Sequence, residues 1–190
     1  MKEGYDIIIP VYNEKNIIKL LDYLFENIKN YNILYICYDQ EEDITIQLIK
    51  KSKYKNSKII KLIKNPLIGP CEAIKMGLKK SESDAVIIYP ADDFFNAKIL
   101  DPMYEYKNSG YDIVCPSRFI QGGMIKNCPI IKFLIVKAVS IILYYISSLK
   151  IKDPTNGFRL FSKEVLQNYK IESTLGFSYS LELLIKSHLD

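Results

Sequence analysis

The sequence predicts an α/β fold, with a mostly parallel central sheet and helices on both faces. Three observations predict it. Up to Cys115, short apolar runs alternate with longer stretches of helical spacing, the βαβ grammar of a parallel sheet. The runs are near-continuous in Ile, Val and Leu, as strands buried on both faces are. Pro and Gly punctuate the junctions between them.

The elements follow in order. Asp6-Ile7-Ile8-Ile9 is a β-branched run closed by Pro10 and reads as a buried strand. From Asn16 to Ile28 the apolar residues Ile17, Leu20, Leu21, Leu24, Phe25 and Ile28 recur at helical spacing. Ile33 to Tyr38 is a second strand and Ile44 to Lys51 a second helix. Lys58 to Ile63 is a third strand, closed by Asn65-Pro66. Gly69-Pro70 opens a helix from Cys71 to Lys80, with Pro fitting the first turn. Ala85 to Tyr89 is a fourth strand, followed by a helix near Ala97 to Lys107 and a strand from Tyr111 to Cys115. The grammar then changes. A loop with Gly122-Gly123 leads to a long apolar helix from about Pro129 to Ser148, a turn from Asp153 to Arg159, and a last helix from Phe177 to Leu189. The chain stops there without a clear C-cap, which leaves a truncated C-terminus open.

Composition bounds the function. The 190 residues suit one domain. With 48% hydrophobic and 25% charged residues the chain has an ordinary globular balance. Its 31 Ile, 24 Lys, 15 Tyr and 12 Asn reflect a biased codon usage, against which the two arginines, Arg118 and Arg159, stand out. A net charge of +4, with only one lysine run at Lys50–Lys55, gives no polyanion signature and predicts no nucleic-acid partner. Cys37, Cys71, Cys115 and Cys128 form no CxxC pair, so a zinc site is not expected; Cys37 and Cys115 read as small core residues, and a reducing, cytoplasmic compartment fits. The single histidine, His188, excludes His-based triads and His-rich metal sites from the body of the chain. The N-terminus carries no signal-peptide pattern. The apolar window from Ile130 to Leu149 is broken by Lys132 and Lys137, too short to span a bilayer.

In a parallel sheet ligands gather at the carboxyl ends of the strands. The first such end, Pro10-Val11-Tyr12-Asn13-Glu14, offers an aromatic face, a helix-capping Asn and an acid in the first helical turn. After the second strand Asp39 could accept hydrogen bonds from a ribose or base, while Asp43 starts the next helix and Glu41 and Glu42 belong to that acidic start. After the fourth strand Asp92 and Asp93 are adjacent carboxylates, costly unless paired or metal-bound. Their natural ligand is a hard divalent cation, Mg²⁺ or Mn²⁺; the competing role is helix capping. Arg118, after the fifth strand, and Arg159, in the later turn, suit bidentate recognition of an oxyanion.

Taken together these motifs resemble the family 2 glycosyltransferases, and within them the dolichol-phosphate mannose synthase-like polyprenyl-phosphate enzymes. Ile7 to Glu14 resembles the opening strand and P-x-Y-N-E motif, and Asp39 the nucleoside-contacting acid. Gly69 to Leu78 resembles the Gly-rich loop and helix beneath the donor. Ser117-Arg118-Phe119 with Gly122-Gly123 is similar to the S-R-Y…G-G segment, Asp153 to Arg159 to the D-x-T-S-G-F-R segment, and Gly176-Phe177 to Leu184 to the following G-F…E-L-L helix. Two departures stand out. The D-x-D motif reads Pro90-Ala91-Asp92, without its first Asp and with Asp93 as an extra carboxylate, and Phe94 stands where related synthases often carry a polar metal ligand. Lys132 and Lys137 stand where they tend to place arginines.

The resemblance implies a GT-A fold across residues 1–190, with a nucleotide-sugar-binding half at 1–116 and an acceptor-side half at 117–190. It implies an inverting displacement at the anomeric carbon, from a UDP- or GDP-sugar to a polyprenyl phosphate. The donor residues would be Pro10, Tyr12, Glu14, Asp39, Gly69 and Asp92; the metal ligands Asp92 and Asp93; the acceptor-phosphate residues Arg118, Lys132 and Arg159. Asp92, Asp93, Arg118 and Arg159 form the catalytic set. A phosphate acceptor is already ionised and needs no base, whereas a hydroxyl acceptor would need one, with Asp93 and then Glu182 as candidates. The competing functions are transfer to a glycan hydroxyl and a non-catalytic nucleotide-sugar-binding module. The helix from Pro129 to Ser148 would either pack on the sheet or lie peripherally on the cytoplasmic face of a membrane, with Lys126, Lys132 and Lys137 near anionic head groups.

Overall fold

The computed structural model of the chain describes residues 2–123, 129–146, 149 and 151–189, without the side chains of Lys132 and Ile146. The expectations placed on Lys126, Cys128 and the Lys132 side chain, and the end of the long helix at 147–148, lie outside the described residues.

Strand β1 (Lys2–Pro10) lies mid-sheet, paired in parallel with β2 (Tyr31–Tyr38) on one side and β4 (Ser83–Ile88) on the other. Strand β3 (Ile60–Lys64) pairs in parallel with β2 and forms one edge. Two strands complete the six: β5 (Ile113–Val114) and β6 (Arg159–Ser162), in the order β3-β2-β1-β4-β6-β5. β6 runs antiparallel between β4 and β5, so a strand from the second half of the chain sits beside the centre of the sheet. Its register sets Arg159 opposite Ile88, at the carboxyl end of β4.

The period of two along β1 divides the core. Ile7 and Ile9 face a cluster built with α1 (Ile17–Asn27), α2 (Ile44–Lys51) and α4 (Leu100–Asn108), the last preceded by a short 3-10 turn at Ala97–Ile99. Ile8 faces the other cluster, with α3 (Pro70–Lys80), α6 (Lys163–Asn168) and α7 (Tyr179–Leu189). Helices therefore cover both faces, as the alternation predicted. In α1 the buried set Ile17, Leu20, Leu21 and Leu24 is one helical stripe. Burial pushes the Cys37 thiol up to about 12, in keeping with its place in the core.

The long apolar helix α5 (Ile130–Ile146) departs from this pattern. Ile130 and Ile131 are 77% and 74% exposed, and Leu134, Ile135, Ile142 and Tyr145 are exposed as well. These side chains are therefore not packed away on the sheet. No helix among the described residues is long and apolar enough to cross a membrane.

Two elements lay hidden in the sequence: β6 and the helix α6 that follows it. β6 is four residues long and opens on a charged residue, so it offers no alternation to read.

Candidate active site

The carboxyl ends of β1 to β4 and the start of β6 meet along one edge of the sheet. Past Pro10, the Val11 N–H donates to the Cys37 carbonyl at 2.9 Å and carries β1 one residue further along β2. Asn13 then adopts a left-handed φ of 53°, a conformation that Asn tolerates better than most residues. Its Oδ1 accepts from the Ile44 N–H at 3.2 Å, and its own N–H donates to Asp43 Oδ2 at 3.1 Å. The Glu14 N–H donates to Thr45 Oγ1 at 2.8 Å. The loop after β1 is thus knitted to the start of α2, which Asp43 caps by accepting from Thr45 N–H at 2.7 Å.

This corrects two expectations. Asn13 serves the N-terminus of α2 and not of α1, because α1 begins only at Ile17. Glu14 precedes α1 and accepts from the Asn16 N–H at 2.8 Å. Tyr12 stands 73% exposed at this edge.

Asp39 follows β2. Its Oδ1 accepts from the Asn65 amide, and its Oδ2 from the Gly69 N–H at 3.0 Å. Gly69 sits at φ 119°, where a side chain would be strained. The Gly-rich loop before α3 is therefore tied directly to Asp39.

The two carboxylates after β4 part company. Asp92 is exposed, with no partner among the described residues. Asp93 is a cap: its Oδ1 accepts from the N–H groups of Phe95 and Asn96 at 2.9 and 3.0 Å, and its Oδ2 from the Asn96 amide at 2.7 Å. The Tyr89 hydroxyl donates to the Asp93 carbonyl at 2.9 Å. Asp93, expected as a second metal ligand or a base, has both oxygens engaged in the turn that opens the 3-10 segment. Among the described residues no three Asp, Glu, His or Cys side chains gather as a metal cage. The single accessible carboxylate of Asp92 fits a hard divalent ion that takes most of its oxygens from a bound ligand such as a diphosphate.

The arginines diverge too. Arg118 gives Nε and Nη2 to the two oxygens of Asp153, both at 2.7 Å, and Nη2 also to Thr155 Oγ1 at 3.2 Å. Its backbone N–H adds a 3.0 Å bond to Asp153. The fork expected to meet an oxyanion thus holds a buried carboxylate, and Nη1 is the remaining edge. Gly123 packs against the backbone of the same loop: a Cβ there would lie 2.6 Å from the Ser117 carbonyl. Arg159 is fully buried and donates to the carbonyls of Ser180 and Pro154. Expected at an acceptor phosphate, its fork here ties the 153–157 turn to α7.

Glu182, the second candidate base, is also engaged. Burial pushes its carboxyl up, but Lys186 and the N–H groups of Glu172 and Ser173 outweigh it and hold it down at about 2. So strong an acid is a poor general base near neutral pH. The residues that sequence reasoning left out are Asp153, Thr155 and Asn65. Asp153 and Thr155 were visible in their motif, but nothing in the spacing pairs position 153 with 118.

Comparison with known proteins bears on this edge. The family described as Glycosyl transferase family 2 matches residues 6–170. A dolichol-phosphate mannosyltransferase of Pyrococcus furiosus is 31% identical over 95% of this chain and 52% of its own length. A UDP-N-acetylglucosamine–dolichyl-phosphate N-acetylglucosaminyltransferase of Methanococcus voltae is 27% identical over 85% of this chain and 70% of its own. This chain spans about half the length of the Pyrococcus protein. Among solved structures, the glucosyl-3-phosphoglycerate synthase of Mycobacterium tuberculosis, in complex with Mn²⁺, UDP and glucosyl-3-phosphoglycerate, superposes with a TM-score of 0.73. It is 15% identical and covers 97% of this chain and 64% of its own, a likeness of fold.

Proposed function

The chain belongs to glycosyl transferase family 2 and has the GT-A fold, and from that premise we propose that it transfers a sugar, with inversion, from a nucleotide-sugar to a polyprenyl phosphate. The observation that carries the proposal is the convergence of Tyr12, Asp39, Gly69 and Asp92 on the carboxyl edge of one parallel sheet, with Arg118 beside it. The dolichyl-phosphate specificity in the names of two relatives supports the acceptor class.

In this reading Asp39, with Gly69 at its side, receives the nucleoside, and Pro10, Tyr12 and Glu14 line that end of the site. Asp92 would hold a divalent ion, Mg²⁺ or Mn²⁺, together with the donor diphosphate. When bound, the ion neutralises the charge that grows on the leaving diphosphate. Asp93 keeps the turn bearing Asp92 in shape. The Nη1 edge of Arg118, fixed by Asp153, faces the acceptor phosphate, with Lys132 as its partner in the sequence. The acceptor oxygen is already ionised and attacks the anomeric carbon in line as the diphosphate departs.

The two residues offered as a base for a hydroxyl acceptor, Asp93 and Glu182, are both committed elsewhere, which favours a phosphate acceptor. The exposed apolar side chains of α5, with Lys137 on the same helix, suit a peripheral position at a membrane surface where a lipid phosphate is presented. A thermal-shift series with UDP- and GDP-sugars, with and without Mn²⁺, tests the donor half. A metal-dependent rise in melting temperature with one nucleotide class supports it, and no rise across the series overturns it.

A further inference from the structure

We infer that Asn65 is a positioning residue of the donor site, acting on the nucleoside through Asp39. The inference rests on Asp39 being the nucleoside acid. Asn65 ends β3: its N–H donates to the Tyr38 carbonyl at 2.8 Å, which fixes its backbone beside the residue preceding Asp39. Its side chain is buried and its Nδ2 donates to Asp39 Oδ1. The Gly69 N–H holds the other oxygen of the same carboxylate at 3.0 Å. Asp39 is therefore gripped from two sides, by β3 and by the loop before α3, and its plane is set before any ligand arrives.

The other end of the amide says what the residue is for. Asn65 Oδ1 is buried with no hydrogen-bond partner among the described residues. A buried acceptor left unmet costs free energy that an apolar residue of the same shape would not incur. Turning the amide over does not help, because Oδ1 would then face the carboxylate. What the amide supplies against that cost is one donor aimed at Asp39. Among the described residues Asp39 is the one group that donor meets, so Asn65 is expected to act on binding and not on the chemical step.

The test uses the full chain and measures UDP and GDP binding by calorimetry, with donor KM and kcat alongside. Asn65→Leu keeps the branched outline, at a larger volume, and removes the donor. It is expected to weaken the preferred nucleoside diphosphate about tenfold, the scale of a hydrogen bond to a charged group, to raise donor KM in step and to leave kcat within twofold. Asn65→Asp keeps the shape and turns the donor into an acceptor; it is expected to weaken binding at least as much, and gives a second reading if the Leu variant folds poorly. In an Asp39→Ala background either change should cost nothing further. Unchanged affinity in both Asn65 variants overturns the inference while leaving the donor site standing. A loss of equal size with and without Asp39 overturns it as well. If Asp39→Ala alone leaves UDP and GDP affinity intact, the nucleoside reading itself fails.

Discussion

Arg118 and Asp153, 35 residues apart in the chain, meet in a two-pronged ion pair with both N–O distances at 2.7 Å. Asp153 is completely buried and Arg118 keeps 29% of its side chain exposed. The pair joins the loop after β5 to the turn before β6.

Removing Asp153 leaves a guanidinium facing a buried hollow. Asp153→Ala is expected to lower unfolding free energy in urea by about 3 kcal/mol, the lower end for breaking a buried pair. A change within about 0.5 kcal/mol, the range of an ordinary surface substitution, would remove the pair from the account. Arg118→Lys keeps the charge and loses the fork, so acceptor KM should rise several-fold while the fold survives.

Arg159 should behave differently from Arg118. Its Nη1 and Nη2 serve the carbonyls of Ser180 and Pro154 inside the fold. Arg159→Lys is therefore expected to lower the melting temperature by several degrees without a selective effect on acceptor KM. A stable variant with a large rise in acceptor KM would return Arg159 to the phosphate.

Asp92 and Asp93 separate in the same way. Asp92→Asn should abolish metal-dependent transfer and leave the melting temperature within a degree, because Asp92 is exposed and bonds nothing among the described residues. Asp93→Ala should cost about 1 kcal/mol of stability, as the loss of a capping side chain does, and reduce activity only in part. Equal and complete loss in both would mean that the two carboxylates work as one metal site.

Acid sensitivity should trace to Glu182. Its folded-state titration near 2 lies below the ordinary 4.5, so the stability it contributes is present above about pH 4.5 and is lost as pH falls toward 2. Glu182→Gln should flatten the stability profile across that window while leaving the neutral region's shape unchanged. A variant profile as steep as the parent's would assign the acid limb to other carboxylates.

Most of the fold was legible because its signals are local. Ile7-Ile8-Ile9 and the α1 stripe need no distant partner to be recognised, and Gly69-Pro70 announces α3 from its own conformational needs. β6 was not legible, since Arg159-Leu160-Phe161-Ser162 becomes a strand only because β4 and β5 flank it. The site divides along the same line. Asp39 and Asp92 could be placed by their position after a strand. The roles of Asp93, Arg118 and Arg159 depended on what each side chain meets, and capping, ion pairing and burial are decided by the assembled fold. The rarity of arginine pointed to oxyanion binding at both positions; the fold shows one as a buried tie and the other as a fork committed to Asp153.

The most direct measurement is transfer of radiolabelled sugar from UDP- and GDP-sugars to a polyprenyl phosphate in vesicles, with Mn²⁺ present or chelated, followed by solvent extraction. The account predicts label in the lipid fraction with one nucleotide class, dependent on Mn²⁺ and absent in Asp92→Asn. Label appearing on a hydroxyl acceptor in place of the lipid, or no metal-dependent transfer with any donor, would contradict it.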